Sequence, residues 1–86
     1  MKTHVLKTIQ PFFDDIWNGK KTFEVRKNDR DFKCGDLLQL REYDDVLQKY
    51  LPREIIVEIT FILSDERYCK KGFVIMQFKD LFYRGL

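Results

Sequence analysis

Residues 19–26, GKKTFEVR, bring two ammonium groups, one carboxylate and one guanidinium into a single short segment. Glu24 and Arg26 stand two positions apart, so on a strand both side chains leave the same face of the sheet. As an exposed ion pair they would contribute only about 0–1 kcal/mol. Lys21 argues for more than that. It shares the parity of Phe23 and Val25, which a regular strand is expected to turn towards the core, and an unpaired ammonium is too costly to bury there. Either the strand begins after Lys21, or Lys21 lines a cleft where a helix hands over to the strand and meets Glu24, whose carboxylate favours its charged form. An ammonium, a guanidinium and one carboxylate suit a phosphate together with a base edge. Arginine grips phosphate through two parallel hydrogen bonds, and a carboxylate accepts from an exocyclic amine such as that of cytosine.

The surroundings of this trio are basic. Lys20, Lys21, Arg26, Lys27, Arg30 and Lys33 stand against Glu24, Asp29 and Asp31. The chain as a whole has sixteen basic and fourteen acidic residues, a net charge of +2, so the global field is weak and only local clustering argues for nucleic acid. RYCKKGF, residues 67–73, forms a second basic and aromatic patch, read first as a solvated loop. Phe12, Phe13 and Trp17 could offer stacking surfaces for bases, but their helical spacing favours core packing for most of them. Tyr43, Tyr50 and Tyr68, near polar loops, are the better exposed candidates. His4, the single histidine, reads as an ordinary hydrogen-bonding residue, and Asp36 after Gly35 as turn chemistry.

The elements that must position these residues are short. In HVLKTI, Val5, Lys7 and Ile9 take one parity and Leu6 and Thr8 the other, which predicts a first strand. Pro11 suits the first turn of a helix, and PFFDDIWNG reads as one helix closed by Asn18 and Gly19. TFEVR begins a second strand and LLQLREY a third. DDVLQKYLP is expected to be a connecting loop or weak helical turn from Asp44 to Pro52, since proline resists sheet pairing. REIIVEITFIL is the strongest strand signal, with Ile55, Val57, Ile59, Phe61 and Leu63 on one parity and Ile56 and Ile62 suggesting burial on the other. FVIMQFKDLF completes five strands, with Val74, Met76 and Phe78 aligned. Such strands with one early helix predict an α+β, mainly β domain curling towards a small barrel, which fills its own interior and removes exposed edges.

Eighty-six residues, 44% hydrophobic and 35% charged, fit one soluble domain spanning 1–86. Cys34 and Cys69 form neither a CxxC pair nor a zinc-ligand pattern, so they read as free thiols. No signal-peptide core is evident in the N-terminal residues. A cytoplasmic protein with no metal, no cofactor and no membrane association is expected.

GKKTFEVR also reads as G-x-K-x-x-E-x-R, which resembles the signature of the ASCH domains of the PUA-like superfamily. The flanking KNDRDFKCGDLLQLREYD, together with REIIVEITFIL and GFVIMQF, is similar to a subfamily of small bacterial and phage ASCH-like proteins of unknown function. The resemblance covers nearly the whole chain. It implies a PUA-like β-barrel with one short N-terminal helix, and a cleft beside that helix that binds RNA or a modified nucleoside. By position the resemblance makes Lys21, Glu24 and Arg26 the cleft residues with Gly19 as the tight turn, and the basic surroundings add Lys20, Lys27 and Arg30 to the candidate ligand-contacting set.

Some ASCH relatives are amidohydrolases acting on N4-acetylcytidine. In that alternative Lys21 and Glu24 would be catalytic. However, Glu24 stands where those enzymes carry a threonine, and a lysine acting as base or nucleophile needs its neutral form. A third alternative is a phage or host accessory protein that binds another protein.

Overall fold

The structure, a computed structural model, describes residues 1–85. Among them the order is β1 (Thr3–Thr8), α1 (Phe12–Trp17), β2 (Phe23–Lys27), β3 (Leu37–Asp44), β4 (Lys49–Leu63) and β5 (Phe73–Arg84). The five strands form one mostly antiparallel sheet in the order β1-β3-β4-β5-β2, with only the β1–β3 pair parallel. The sheet curls into a half-barrel over a core of Leu6, Leu38, Leu40, Ile55, Val57, Ile59, Val74 and Met76, with Phe13 and Ile16 of α1 packed against it.

The first two strands of the chain are therefore the two edges of the sheet. Main-chain pairing does not join them, so the expected barrel is closed only in part. Two arginines cross the seam instead. Arg26 Nη2 donates to the Lys7 carbonyl at 2.7 Å, and Arg30 Nη1 donates to the Val5 carbonyl at 2.7 Å. These oxygens lie on alternate residues of β1 and would otherwise be unpaired edge acceptors.

Three expectations are corrected. The segment from Asp44 to Pro52 is a hairpin, not a loop. β4 already begins at Lys49, Gln48 supplies a positive φ of 53°, and Pro52 falls where the β3–β4 register shifts between Arg41 and Tyr43, a break in the ladder that tolerates a missing N–H. Phe61 is 57% exposed although it follows the parity of Ile55, Val57 and Ile59. A register irregularity between Ile59 and Phe61 switches the faces, and Ile62 packs on the core instead.

The third correction concerns β2, where the alternation is real but its direction is reversed. Glu24 is buried, whereas Phe23 and Val25 are 43% and 50% exposed. Register explains it. Glu24 lies opposite Met76 and Arg26 opposite Val74 on β5, both core residues, and cross-strand partners share a face.

Candidate functional site

The handover from α1 to β2 fixes Lys21. The helix ends with the Asn18 amide donating to the Asp14 carbonyl at 2.9 Å. Gly19 then takes φ of 76°, a left-handed conformation that glycine adopts without strain. The amides of Lys20 and Lys21 both donate to the Asp15 carbonyl, at 2.8 and 3.0 Å. Strand pairing starts two residues later, so Lys21 stands at the mouth of the half-barrel, outside the ladder.

From there Lys21 Nζ donates to Glu24 Oε1 at 2.7 Å and to the Phe23 carbonyl at 2.6 Å. The other carboxylate oxygen of Glu24 accepts from Arg26 Nε at 2.8 Å. Glu24 is only 4% exposed, yet both its oxygens are held by cations, which is what a buried carboxylate requires. One carboxylate shared by two cations leaves the cluster with a net charge of +1.

Above the cluster lies a cleft of about 560 Å³, bounded by Lys7 and Thr8 of β1, Ile9 just after it, Phe12 on α1, and Lys21 and Phe23 to Arg26. This is within the range of roughly 300–1,000 Å³ usual for small-molecule sites. Lys21 Nζ lies 5.8 Å from the Phe12 ring centre and 4.9 Å from that of Phe23, so the ammonium is within cation–π range of two aromatic side chains. Phe12 is 47% exposed despite its place on the helix.

The structure thus brings Lys21, Glu24 and Arg26 together and supports them with Gly19 as the turn. It does not bring in the rest of the candidate set. Lys20, Lys27 and Arg30 are exposed and outside the cleft lining, and Arg30 reaches across the seam to the Val5 carbonyl. Phe23, Val25 and Ile9 line the cleft without having been singled out for it, because alternation alone does not say which face of β2 looks inward.

The other candidates lie elsewhere. Arg67 is tied to Asp65 at 2.7 Å and Lys70 lies over Phe73. Tyr43 and Tyr50 face each other across the hairpin with ring centres 5.0 Å apart. Phe13 is fully buried, and Trp17 packs against the core beneath Arg53.

His4 does hydrogen-bond as expected, and its partner gives Asp36 a larger role than a turn residue. The buried Asp36 carboxylate meets His4 Nε2 at 2.8 Å and accepts from the amides of Lys2 and Lys33. Burial pushes this carboxyl up, but hydrogen bonds from His4 and the two amides outweigh it and hold it at about 2. Asp36 braces the start of β1 against the turn before β3.

Residues 3–78 match the family model described as "Domain of unknown function (DUF3850)". The chain belongs to this family. A relative within reach of direct comparison is the "Uncharacterized 12.9 kDa protein in GpA 3'region" of Escherichia phage P2, 38% identical over 66 residues. That alignment takes in 74% of this chain and 59% of the phage protein, so the chain spans a little over half the length of its relative. The family match contains every residue of the cleft. No helix among the described residues is long and apolar enough to cross a membrane.

Proposed function

We propose that this domain is a PUA-like fold of the ASCH type and that its cleft binds RNA or a nucleoside, without catalysis. The observation that carries this reading is the Lys21–Glu24–Arg26 cluster. A buried carboxylate holds two cations at the floor of a cleft whose walls are the exposed rings of Phe12 and Phe23. Exposed aromatic rings beside a net positive floor suit a flat heterocycle carried on an anionic backbone. The G-x-K-x-x-E-x-R signature coincides with this cluster.

A deacetylase acting on N4-acetylcytidine has less support. It would need Lys21 in its neutral form, and both Glu24 and the Phe23 carbonyl accept from the ammonium group. The test is the affinity of Lys21→Ala and Arg26→Ala for short single-stranded RNA at moderate salt. Each is expected to weaken binding by about tenfold, the value of a charge-assisted contact. Unchanged affinity in both variants would remove the assignment.

A further inference from the structure

The cleft's polar wall is one-sided. Lysine has three donors and arginine five, and neither has an acceptor. Two of the Lys21 hydrogens go to Glu24 and the Phe23 carbonyl, which leaves one. Arg26 uses Nε on Glu24 and one Nη2 hydrogen on the Lys7 carbonyl, which leaves three without a partner among the described residues.

The acceptors of the same wall are already engaged. Both Glu24 oxygens, the Phe23 carbonyl and the Lys7 carbonyl each receive a cationic donor, while the buried Thr8 hydroxyl donates to the Leu6 carbonyl and keeps its own lone pairs free. Apart from these groups the cleft is bounded by Ile9, Phe12, Phe23 and Val25. It therefore presents apolar surface and four spare cationic hydrogens, one on Lys21 and three on Arg26, so donors outweigh the acceptors it offers, chief among them the Thr8 hydroxyl.

We propose, building on the RNA- or nucleoside-binding reading, that the cleft reads the edge carrying pyrimidine C4 or purine C6 and selects bases with a carbonyl there, uracil and hypoxanthine or guanine, over cytosine and adenine, which carry an amine there. A keto oxygen meets the remaining donors of Lys21 and Arg26. An exocyclic amine at the same ring position brings a donor to a wall rich in donors, where the Thr8 hydroxyl is the neutral acceptor left to replace its hydrogen bond to water. Glu24, which spacing alone would make the reader of an amine, is instead a positioning residue that aims the two cations. The apolar remainder of the lining favours a flat ring over a bare phosphate as the group that enters.

Amide-resolved NMR titration of the full chain with hexauridine, hexacytidine, hexainosine and hexaadenosine tests this at one moderate salt concentration. Each keto and amino pair matches in length and charge and differs on the ring edge. Binding of the keto member is expected to be at least about fivefold tighter in both pairs, with shifts at residues 7–9, 12 and 21–26. In Lys21→Met the preference should shrink, while binding to the two members of each pair converges. Equal affinities within both pairs, at cleft residues, would overturn the base selection while leaving RNA binding intact and would assign the donors to phosphate. Preference for the amino member would overturn it in the opposite sense. No cleft shifts with any of the four would overturn both this inference and the binding reading on which it rests.

Discussion

Two buried glutamates in this small domain have opposite charge balances. Glu42 is 6% exposed and receives Arg53 through two parallel hydrogen bonds of 2.9 Å, plus Gln10 Nε2 at 2.9 Å. The same Arg53 reaches Asp14 on α1 at 2.7 Å and lies over the rings of Phe13 and Trp17, about 5 Å from each centre. Here one cation serves two carboxylates. Hydrogen bonding to Glu42 raises the Arg53 guanidinium above its ordinary value, and Arg53 followed by Gln10 holds the Asp14 carboxyl below its own.

Around Glu24 the ratio is inverted, with two cations on one carboxylate. The first arrangement clamps α1 to the β3–β4 hairpin and has a net charge of −1. The second has net +1 and faces a cleft. Burial of a glutamate beside an arginine does not distinguish a brace from a site; the surplus of donors does.

Exchanging arginine for methionine in each cluster should separate them most sharply. Arg53→Met leaves the buried Glu42 without its cation and is expected to cost about 3–5 kcal/mol, seen as a lower urea midpoint at unchanged slope. Arg26→Met leaves Lys21 to neutralise Glu24, and the expected cost is about 1 kcal/mol. Equal losses would make the Glu24 cluster a second brace.

The binding side of the comparison should show a contrast in the other direction. Arg26→Met is expected to lose about tenfold in affinity for hexauridine, while Arg53→Met, assayed where it remains folded, retains it. Isothermal titration of both variants measures this.

A third buried carboxylate, Asp36, sharpens the contrast through pH. Its folded value of about 2 lies below the ordinary 3.8, so its contribution is fully present above about 3.8 and is lost as pH falls towards 2. Asp36→Asn should flatten the acid limb of the stability curve by about 1–2 kcal/mol across that window. Denaturant midpoints measured in steps from about pH 5 to pH 2 follow it; a variant as acid-sensitive as the parent would remove Asp36 from the brace.

The smallest effects should come from the exposed lysines. Lys20→Ala and Lys27→Ala lie outside the cleft and are expected to change RNA affinity by less than about twofold at moderate salt, where screening weakens distant charges. Fluorescence anisotropy at two salt concentrations checks both.

Much of the fold can be read along the chain, because strong alternation and one helical spacing mark five strands and α1. The site is legible only as a set of residue types. Glu24 and Arg26 sit on one face of β2 by spacing, but which face looks inward depends on the register with β5, a long-range property. Once Glu24 stands opposite Met76, its burial follows. The hairpin at 45–48 was hidden by Pro52, which occupies a ladder irregularity that only the β3–β4 pairing reveals. The Glu42 clamp joins residues from three elements and carries no local signal. Lys21 is singled out on a core parity that the structure reverses, since Phe23 and Val25 face outward, so its place at the cleft is reached from a premise that the β2–β5 register overturns.

The central claim is that the Glu24 cluster is a ligand site and the Glu42 cluster is not. It is tested most directly by an amide-resolved NMR titration of the labelled chain with a mixed pool of short single-stranded RNAs at moderate salt. Saturable shifts concentrated on residues 7–9, 12 and 19–26, with the amides around Glu42 and Arg53 unmoved, are the predicted result. No shifts, or diffuse ones that vanish as salt is raised, would contradict it.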